Sequence, residues 1–498
     1  MNERTRHAPP RASAMLEALR GLGYSTAAAL ADVIDNSVSA GASEVRIRFD
    51  WCGVNSRITI LDDGRGMDDT ELEMAMTLGA KSPLEERELT DLGRFGMGLK
   101  TASFSQCRCL TVASKRKDGP IACLRWDLDA IAASPGDGWT MFEGPARGSE
   151  NFVEPINELD SGTLVLWENL DRIVTPGYEL DHFADLVDDV EQRLAMVFHR
   201  LLEGPAPAFS LFINNKPVSP WDPFMMDHPA KPWQSPVART ITSFGEVEAQ
   251  CHVLPHKDRL SDNDFRRAGG PEGWTSQQGF YVYRNHRLLL AGGWLGLGQG
   301  RAWNREETHK LARIRLDLPN TADADWKIDV KKSTARPPVM VRQWLTKLAE
   351  DTRERARKVF AFRGAPMPSL GGVQVEQAWR VERLRGGVRY RIDDGHPAVA
   401  AVLDALGKRA NLARAMLRVI EETVPVQRIW LDTAENKETP LTSFEGEPND
   451  TVIEVAKVLF NDLVERQGLS LEEARKAMLR TEPFQKYPAL IAKLGENQ

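Results

Sequence analysis

The chain has 498 residues, a net charge of −7, 42% hydrophobic residues and 27% charged residues. That length accommodates about three domains, and the composition is that of ordinary globular chains. The acidic balance argues against a protein that coats nucleic acid indiscriminately, leaving room for a local basic groove, and no apolar run is long enough to span a bilayer.

In chain order, the first strong pattern is helical. Leu30, Ile34 and Val38 recur every four residues, with Ala27 continuing the stripe, which predicts a helix over 30–40. Asp32 and Asn36 fall one turn apart on another face. A carboxylate beside a carboxamide suits a hydrated divalent cation, the amide oxygen coordinating and the carboxylate orienting or deprotonating a water. The same pair also fits an amphipathic helix with a solvated polar face.

Two alternating strands follow. Val45, Ile47 and Phe49 alternate with Glu44, Arg46 and Arg48; past a turn at Gly53, Ile58 and Ile60 alternate with Arg57 and Thr59. Continuing that phase turns Asp62 inward and Asp63 outward. An inward carboxylate is costly unless something pairs with it. Gly64 and Gly66 permit a tight turn and close backbone approach, and Met67 offers a flexible apolar contact. Met76–Thr90 is polar and aperiodic, as functional or disordered loops are. Gly93, Gly96 and Gly98 then free backbone amides ahead of a helix expected from about Met97, whose N-terminus is a natural anion site, and Lys100 adds a positive charge. This stretch misses the G-x-x-x-x-G-K-[ST] pattern because Leu99 separates Gly98 from Lys100. It misses G-x-G-x-x-G because Thr101 stands where the last glycine belongs.

Further on, Tyr178–Glu203 reads as one long helix with Phe183, Leu186, Val190, Leu194 and Val197 as its apolar stripe. Leu211–Pro217 and Gly279–Leu290 read as hairpins turning at Asn214-Asn215 and Arg284-Asn285, and Ile314–Leu318 as a strand. Asp325–Pro338 (DWKIDVKKSTARPP) reads as a strand ending in Lys331-Lys332. Arg363–Gly372 is a Pro/Gly-rich linker. Beyond it, strands are expected over 379–384 and 388–392 and helices over 397–406, 452–466 and 471–479. Of thirteen tryptophans, the seven between Trp221 and Trp344 are expected in cores or interfaces, not as base-stacking platforms. The five cysteines include no C-x-x-C pair and read as reduced core thiols. The N-terminus lacks a signal-peptide core, so a cytoplasmic protein that does not engage membranes is expected.

Four segments together resemble the nucleotide pocket of the GHKL ATPases, the group that includes DNA gyrase B, the heat-shock chaperones, histidine kinases, MutL and MORC. They are Leu30–Ala42 (LADVIDNSVSAGA), Ile60–Met67 (ILDDGRGM), Asp91–Ser103 (DLGRFGMGLKTAS) and Ser161–Leu170 (SGTLVLWENL), in the family's order and at its spacing. The resemblance implies an α+β chain: a Bergerat-type α/β sandwich, with a mixed sheet and helices on one face, over 1–205; a transducer α/β domain over 206–363; and a smaller α+β C-terminal domain over 374–498. It implies ATP and Mg²⁺, with Asp32 as general base and Asn36 as metal ligand. Asp62 would accept the adenine amino group, Gly64, Gly66 and Met67 would line the base, and Thr163 would close that pocket. Gly93, Arg94, Phe95, Gly96, Met97, Gly98, Leu99 and Lys100 would surround the phosphates. Lys81 would come from a lid over them, and Lys332 or Lys331 from the transducer would reach the terminal phosphate. The HRLL helix end, the N-N-K-P strand and the D-P-F turn at Asp222–Phe224 are most similar to prokaryotic MORC-like proteins.

The expected function is an ATP-dependent clamp whose two copies close on ATP. Its clients would be duplex DNA or a DNA-bound complex with partner proteins, in a defence or restriction-like system. The alternative is a chaperone-like clamp acting on protein. A histidine kinase is disfavoured, since only His7 precedes the pocket. One residue departs from the family: MORC, MutL and the heat-shock chaperones carry Glu where this chain has Asp32. The shorter side chain retracts the carboxylate by roughly 1.5 Å, so either the helix sits closer to the γ-phosphate, or a second water relays the proton, or hydrolysis is weak and ATP acts mainly as a binding switch; slow hydrolysis is expected.

Overall fold

The computed structural model describes residues 10–80, 98–134, 138–204, 207–323, 325–329, 334–361, 376–384, 387–426, 429, 448 and 450–495. The chain divides into two compact units, 1–364 and 365–498. The first unit contains two sheets with separate cores.

The first sheet has eight strands: β1 (Glu44–Asp50), β2 (Arg57–Asp62), β3 (Cys109–Lys115), β4 (Ile121–Asp127), β5 (Phe142–Glu143), β6 (Gly162–Glu168), β7 (Ser210–Ile213) and β8 (Lys216–Pro217). Their spatial order is β5-β4-β3-β6-β2-β1-β7-β8, antiparallel throughout except for the β1–β7 pair, so the sheet is mixed. Alternation sets its two faces. Val45, Ile47, Ile58, Ile60, Val165 and Trp167 point to the main core, whereas Leu164, Leu166 and Ala113 point to a smaller cluster with Ile156 on the other side. Helices α1 (Ala12–Arg20), α2 (Thr26–Ser39), α3 (Asp69–Met76), α4 (Gly98–Phe104), α5 (Leu128–Ala133), α6 (Glu150–Val153), α7 (Leu180–Val197) and α8 (His199–Leu202) accompany it. Helix α2 is capped by the Ser25 side chain, which accepts from the Ala28 amide, and it packs on α4 and α7. It is buried on nearly every side, Asp32 and Asp35 included, so a solvated polar face does not describe it.

The second sheet holds β9 (Trp233–Gln234), β10 (Ala238–Thr242), β11 (Gly245–Val253), β12 (Gly279–Arg284), β13 (Arg287–Ala291) and β14 (Ala312–Leu318). Its order is β10-β11-β14-β12-β13, with β9 beside β11. Helix α9 (Asp262–Ala268) connects β11 to β12, and α10 (Val339–Ala361) packs on β11 and β14. Strand β12 is buried along its whole length: Phe280 and Val282 belong to the core of the second sheet, Tyr281 and Tyr283 to that of the first. One strand thus lies inside both cores.

Four local expectations change. The long helix over 178–203 breaks at Phe198, whose φ of −105° and ψ of 9° leave the helical range while its ring packs edge-on to Phe209. The Asn214-Asn215 hairpin forms, with both residues at positive φ, but it extends the first sheet through β1, so the unit expected from 206 starts one hairpin too early. The second hairpin turns one residue later, at Asn285-His286, both at positive φ. Residues 325–327 form a turn and not a strand, with Lys327 at φ 48° and Trp326 fully buried.

In the second unit the two expected strands form, as Trp379–Leu384 and Gly387–Ile392, and they pair antiparallel. A core of Ala456, Phe460, Leu463, Ala474, Met478, Phe484, Ile491 and Leu494 gathers the last helices. The helix over Ala410–Thr423 was not expected from the sequence.

Candidate active site

The site grows from the C-terminal end of β2 and the helix above it. The alternation of β2 carries Ile58, Ile60 and Asp62 to the helix-covered face. There Asp62 accepts from the Ser37 hydroxyl at 2.7 Å and from the Gly64 amide at 3.0 Å. Burial pushes its carboxyl above the usual range, against the opposing pull of Ser37 and Gly64. Asp63 faces the other way. It accepts from the amides of Ser43 at 2.7 Å and Glu44 at 2.8 Å and from the Ser43 hydroxyl. Partial burial would raise its carboxyl, but the Ser43 hydroxyl and these amides outweigh it and hold the group below its ordinary value.

The two glycines are required by space. A Cβ on Gly64 would sit 2.9 Å from Asp62 Oδ1 and 3.0 Å from the Ala40 Cβ; on Gly66, at φ 65°, it would fall 1.8 Å from the Lys115 carbonyl oxygen. Thr163 lies opposite Asp62 in the β2–β6 register. Ser114 joins the neighbouring strand ends: its hydroxyl accepts from the Met67 amide at 2.9 Å, donates to the Gly162 carbonyl at 3.0 Å and lies 2.9 Å from Thr163 Oγ1. Asp62, Gly64, Gly66, Met67 and Thr163 are therefore brought to one corner.

Along α2, the other end of the site holds Asp32 and Asn36. Tyr24 donates its hydroxyl to Asp32 Oδ2 at 3.1 Å, and burial, reinforced by the Asp32 charge, raises the tyrosine's pKa. A Cβ on Gly98 would lie 4.0 Å from the same oxygen, which sets the start of α4 beside Asp32. Asn36 is exposed and donates its amide nitrogen to the Asp32 carbonyl at 3.1 Å, which leaves Oδ1 as the atom able to take a cation. Lys100 behaves differently from expectation. It is buried, and its ammonium donates to the carbonyls of Ala75 at 2.9 Å and Thr77 at 2.8 Å, tying α4 to the end of α3; burial lowers its pKa to about 8.

Lys81, Gly93, Arg94, Phe95, Gly96 and Met97 lie outside the described residues, as do Lys331 and Lys332. Leu99 is half-buried behind Gly98. Asp329 accepts from the Thr334 amide at 2.8 Å, and its charge reaches Tyr24, so the chain flanking the two lysines approaches the Asp32 end.

Sequence reasoning passed over Tyr24, Ser37, Ser114 and Arg287. Ser37 directly follows Asn36, a visible signal; Ser114 is one of two buried hydroxyl residues in β3, with Thr111, and the sequence does not single it out. Arg287, at the start of β13, donates from Nε to Asp35 Oδ1 at 3.1 Å and places Nη2 3.7 Å from Asp32 Oδ1.

Residues 24–163, running from Tyr24 to Thr163, match the family model described as histidine kinase-, DNA gyrase B-, and HSP90-like ATPase. The DNA mismatch repair protein MutL of Rhodospirillum rubrum is 33% identical over 124 residues, 24% of this chain and 17% of that protein. MutL of Herminiimonas arsenicoxydans is 26% identical over 196 residues, 39% of this chain and 29% of the relative. MutL of Wolbachia sp. subsp. Brugia malayi is 32% identical over 90 residues, 18% and 14% of the two chains. The chain thus spans less than a third of the length of these relatives. With the corner around Asp62 and the Asp32–Asn36 turn of α2 built as described, residues 24–163 resemble an ATPase domain of the GHKL type, with similarity to MutL.

Proposed function

We propose that the protein is an ATP-driven clamp that binds and slowly hydrolyses ATP, closes as a homodimer when ATP is bound, and acts on DNA or a DNA-bound complex. The observation that carries this reading is the placement of α2. Ser37 on that helix bonds Asp62 at the base-binding corner, while Asn36 directly precedes it and Asp32, one turn earlier, lies beside Gly98 at the phosphate end. Asp62, partnered but buried, would accept the adenine amino group. Asn36 Oδ1 would hold a divalent cation, which when bound offsets the phosphate charge. Asp32 would take a proton from water as its oxygen bonds to the γ-phosphorus and the bond to the β,γ-bridging oxygen breaks, releasing ADP. Because Lys100 is held by two carbonyls, we assign it to joining α3 and α4 and leave direct phosphate contact to the glycine segment and to Lys331 or Lys332.

We take the lobe built on the second sheet as the transducer and residues 374–498 as a separate domain. The MutL relatives support a DNA-linked role; a setting in defence is the further step, motivated by the MORC-like segments around HRLL and D-P-F. ATP turnover and scattering mass of the full chain, with and without duplex DNA and a non-hydrolysable ATP analogue, test the proposal. A mass doubling with analogue and a salt-sensitive effect of DNA on turnover are expected. Unchanged mass rejects the clamp; stimulation by unfolded protein in place of DNA rejects the DNA client.

A further inference from the structure

Arg287 begins β13, immediately after the Asn285-His286 turn, yet its side chain leaves the second sheet and enters the helix layer of the first. It is 4% exposed, beside Asp32 at 6% and Asp35 at 1%. Three contacts fix the guanidinium: Nε to Asp35 Oδ1 at 3.1 Å, Nη1 to the Leu288 carbonyl at 2.8 Å, and the Phe198 ring, whose centroid is 5.9 Å from Cζ. The hairpin that presents it is itself pinned, because Tyr283 on β12 bonds His199 at 2.8 Å and His199 bonds Glu203 at 2.7 Å. What remains of the fork, Nη2, faces Asp32 Oδ1 at 3.7 Å, while Tyr24 holds Oδ2 from the opposite side.

The two carboxylates are not equivalent. Asp35 receives the aligned hydrogen bond from Arg287 Nε, whereas Asp32 Oδ2 is the carboxylate oxygen near Gly98. Asp32 stands at ion-pair distance, close enough to be oriented by the fixed charge and loose enough to turn toward a water. We propose that Arg287 is a positioning residue for the general base: anchored on Asp35, it lets the second lobe set the orientation of Asp32. Asp35 is thereby a structural anchor and not a reserve base. The proposal rests on Asp32 acting as the base. It gives hydrolysis a dependence on the β12–β13 hairpin that nucleotide binding does not share, since neither Asp62 nor Asn36 contacts that hairpin in any described hydrogen bond.

The experiment compares the full-length protein with Asp32→Asn, Arg287→Gln, Arg287→Lys, Asp35→Asn and the Asp35→Asn/Arg287→Gln double variant. Turnover, equilibrium affinity for an ATP analogue and thermal unfolding are measured for each. Misplacing a catalytic group by about 1 Å costs on the order of a hundredfold in rate, so Arg287→Gln should lose about that much in kcat while analogue affinity changes less than ~3-fold. Arg287→Lys should recover part of the rate. The double variant removes both charges of the buried pair and should regain thermal stability but not turnover. Should Arg287→Gln fail to fold, the double variant carries the readout. Wild-type turnover in the double variant would overturn the proposal, leaving Arg287 a stabilising partner of Asp35 alone. So would a loss of affinity matching the loss of rate. If Asp32→Asn is inactive while the double variant turns over normally, only the role of Arg287 falls. If Asp32→Asn itself turns over at the wild-type rate, the assignment of the base falls first and this proposal with it.

Discussion

The end of β2 and the middle of α2 each place two aspartates close together, and they solve the problem of burying charge in opposite ways. At the strand end, Asp62 and Asp63 are satisfied locally, by Ser37, Gly64, Ser43 and Glu44, all within the first sheet and its covering helix. On the helix, Asp32 and Asp35 share Arg287, a residue more than 250 positions away in the second lobe. The corner proposed to bind the base thus has its described partners within the first sheet and its helices, whereas the turn proposed to be catalytic draws one of its partners from the second lobe. If those roles hold, binding and hydrolysis depend on different parts of this chain.

The sharpest break of that comparison is Asp32→Asn. It should lower turnover by about 10²–10⁴-fold, the usual worth of a general base, and leave analogue affinity and closure intact. Steady-state phosphate release and calorimetry on the same sample check this. Equal loss of binding would mean that the two ends are not separable. Next comes Asp62→Asn, measured by calorimetry. Replacing a charged acceptor worth about 1.5–3 kcal/mol should weaken ATP binding by about 10- to 100-fold, while Asp63→Asn should bind ATP normally.

The pair at the strand end can then be separated by pH, in urea unfolding of the nucleotide-free protein. Asp63 has a lowered folded pKa, so its stabilisation is present above the unfolded value and is lost as pH falls through the folded one. Asp63→Asn should remove about 1 kcal/mol at neutral pH and flatten that acid limb. Asp62 has a raised folded pKa, which reverses the sign: its charged form costs stability above that value, and the cost disappears toward acid. Asp62→Asn should therefore stabilise the nucleotide-free protein at neutral pH, with the gain vanishing as pH falls. Identical pH slopes for both variants would refute the assignment. The smallest effect is expected from Asp32→Glu, which should keep or raise turnover within about tenfold because it restores the reach of the carboxylate.

How much of this was legible in the sequence follows the same divide. The period-two pattern of β2 puts Asp62 inward from the chain alone, because a strand repeats over a few residues. Asn214-Asn215 announces a hairpin, because asparagine tolerates positive φ. The contacts of Arg287 leave no such trace: an ion pair between distant segments has no period. The break at Phe198 was hidden because the apolar stripe runs through it, and a tertiary contact of the ring, not a local propensity, ends the helix. The turn at Asn285-His286 was displaced by one residue because histidine, also tolerant of positive φ, was passed over in favour of Arg284. For Lys100, a charge beside a glycine loop looked like a phosphate ligand; only the fold brings the Ala75 and Thr77 carbonyls to meet it.

Strand β12 has one more consequence. With Phe280 and Val282 facing one core and Tyr281 and Tyr283 the other, it has no solvent side to give up. A fragment cut after the β7–β8 hairpin would keep every strand of the first sheet and lose a wall of its interior, leaving His199 without its tyrosine and Asp35 without its arginine. The first sheet and the lobe after it should therefore melt as one cooperative body, and the first expressed alone should carry an open seam where β12 belongs.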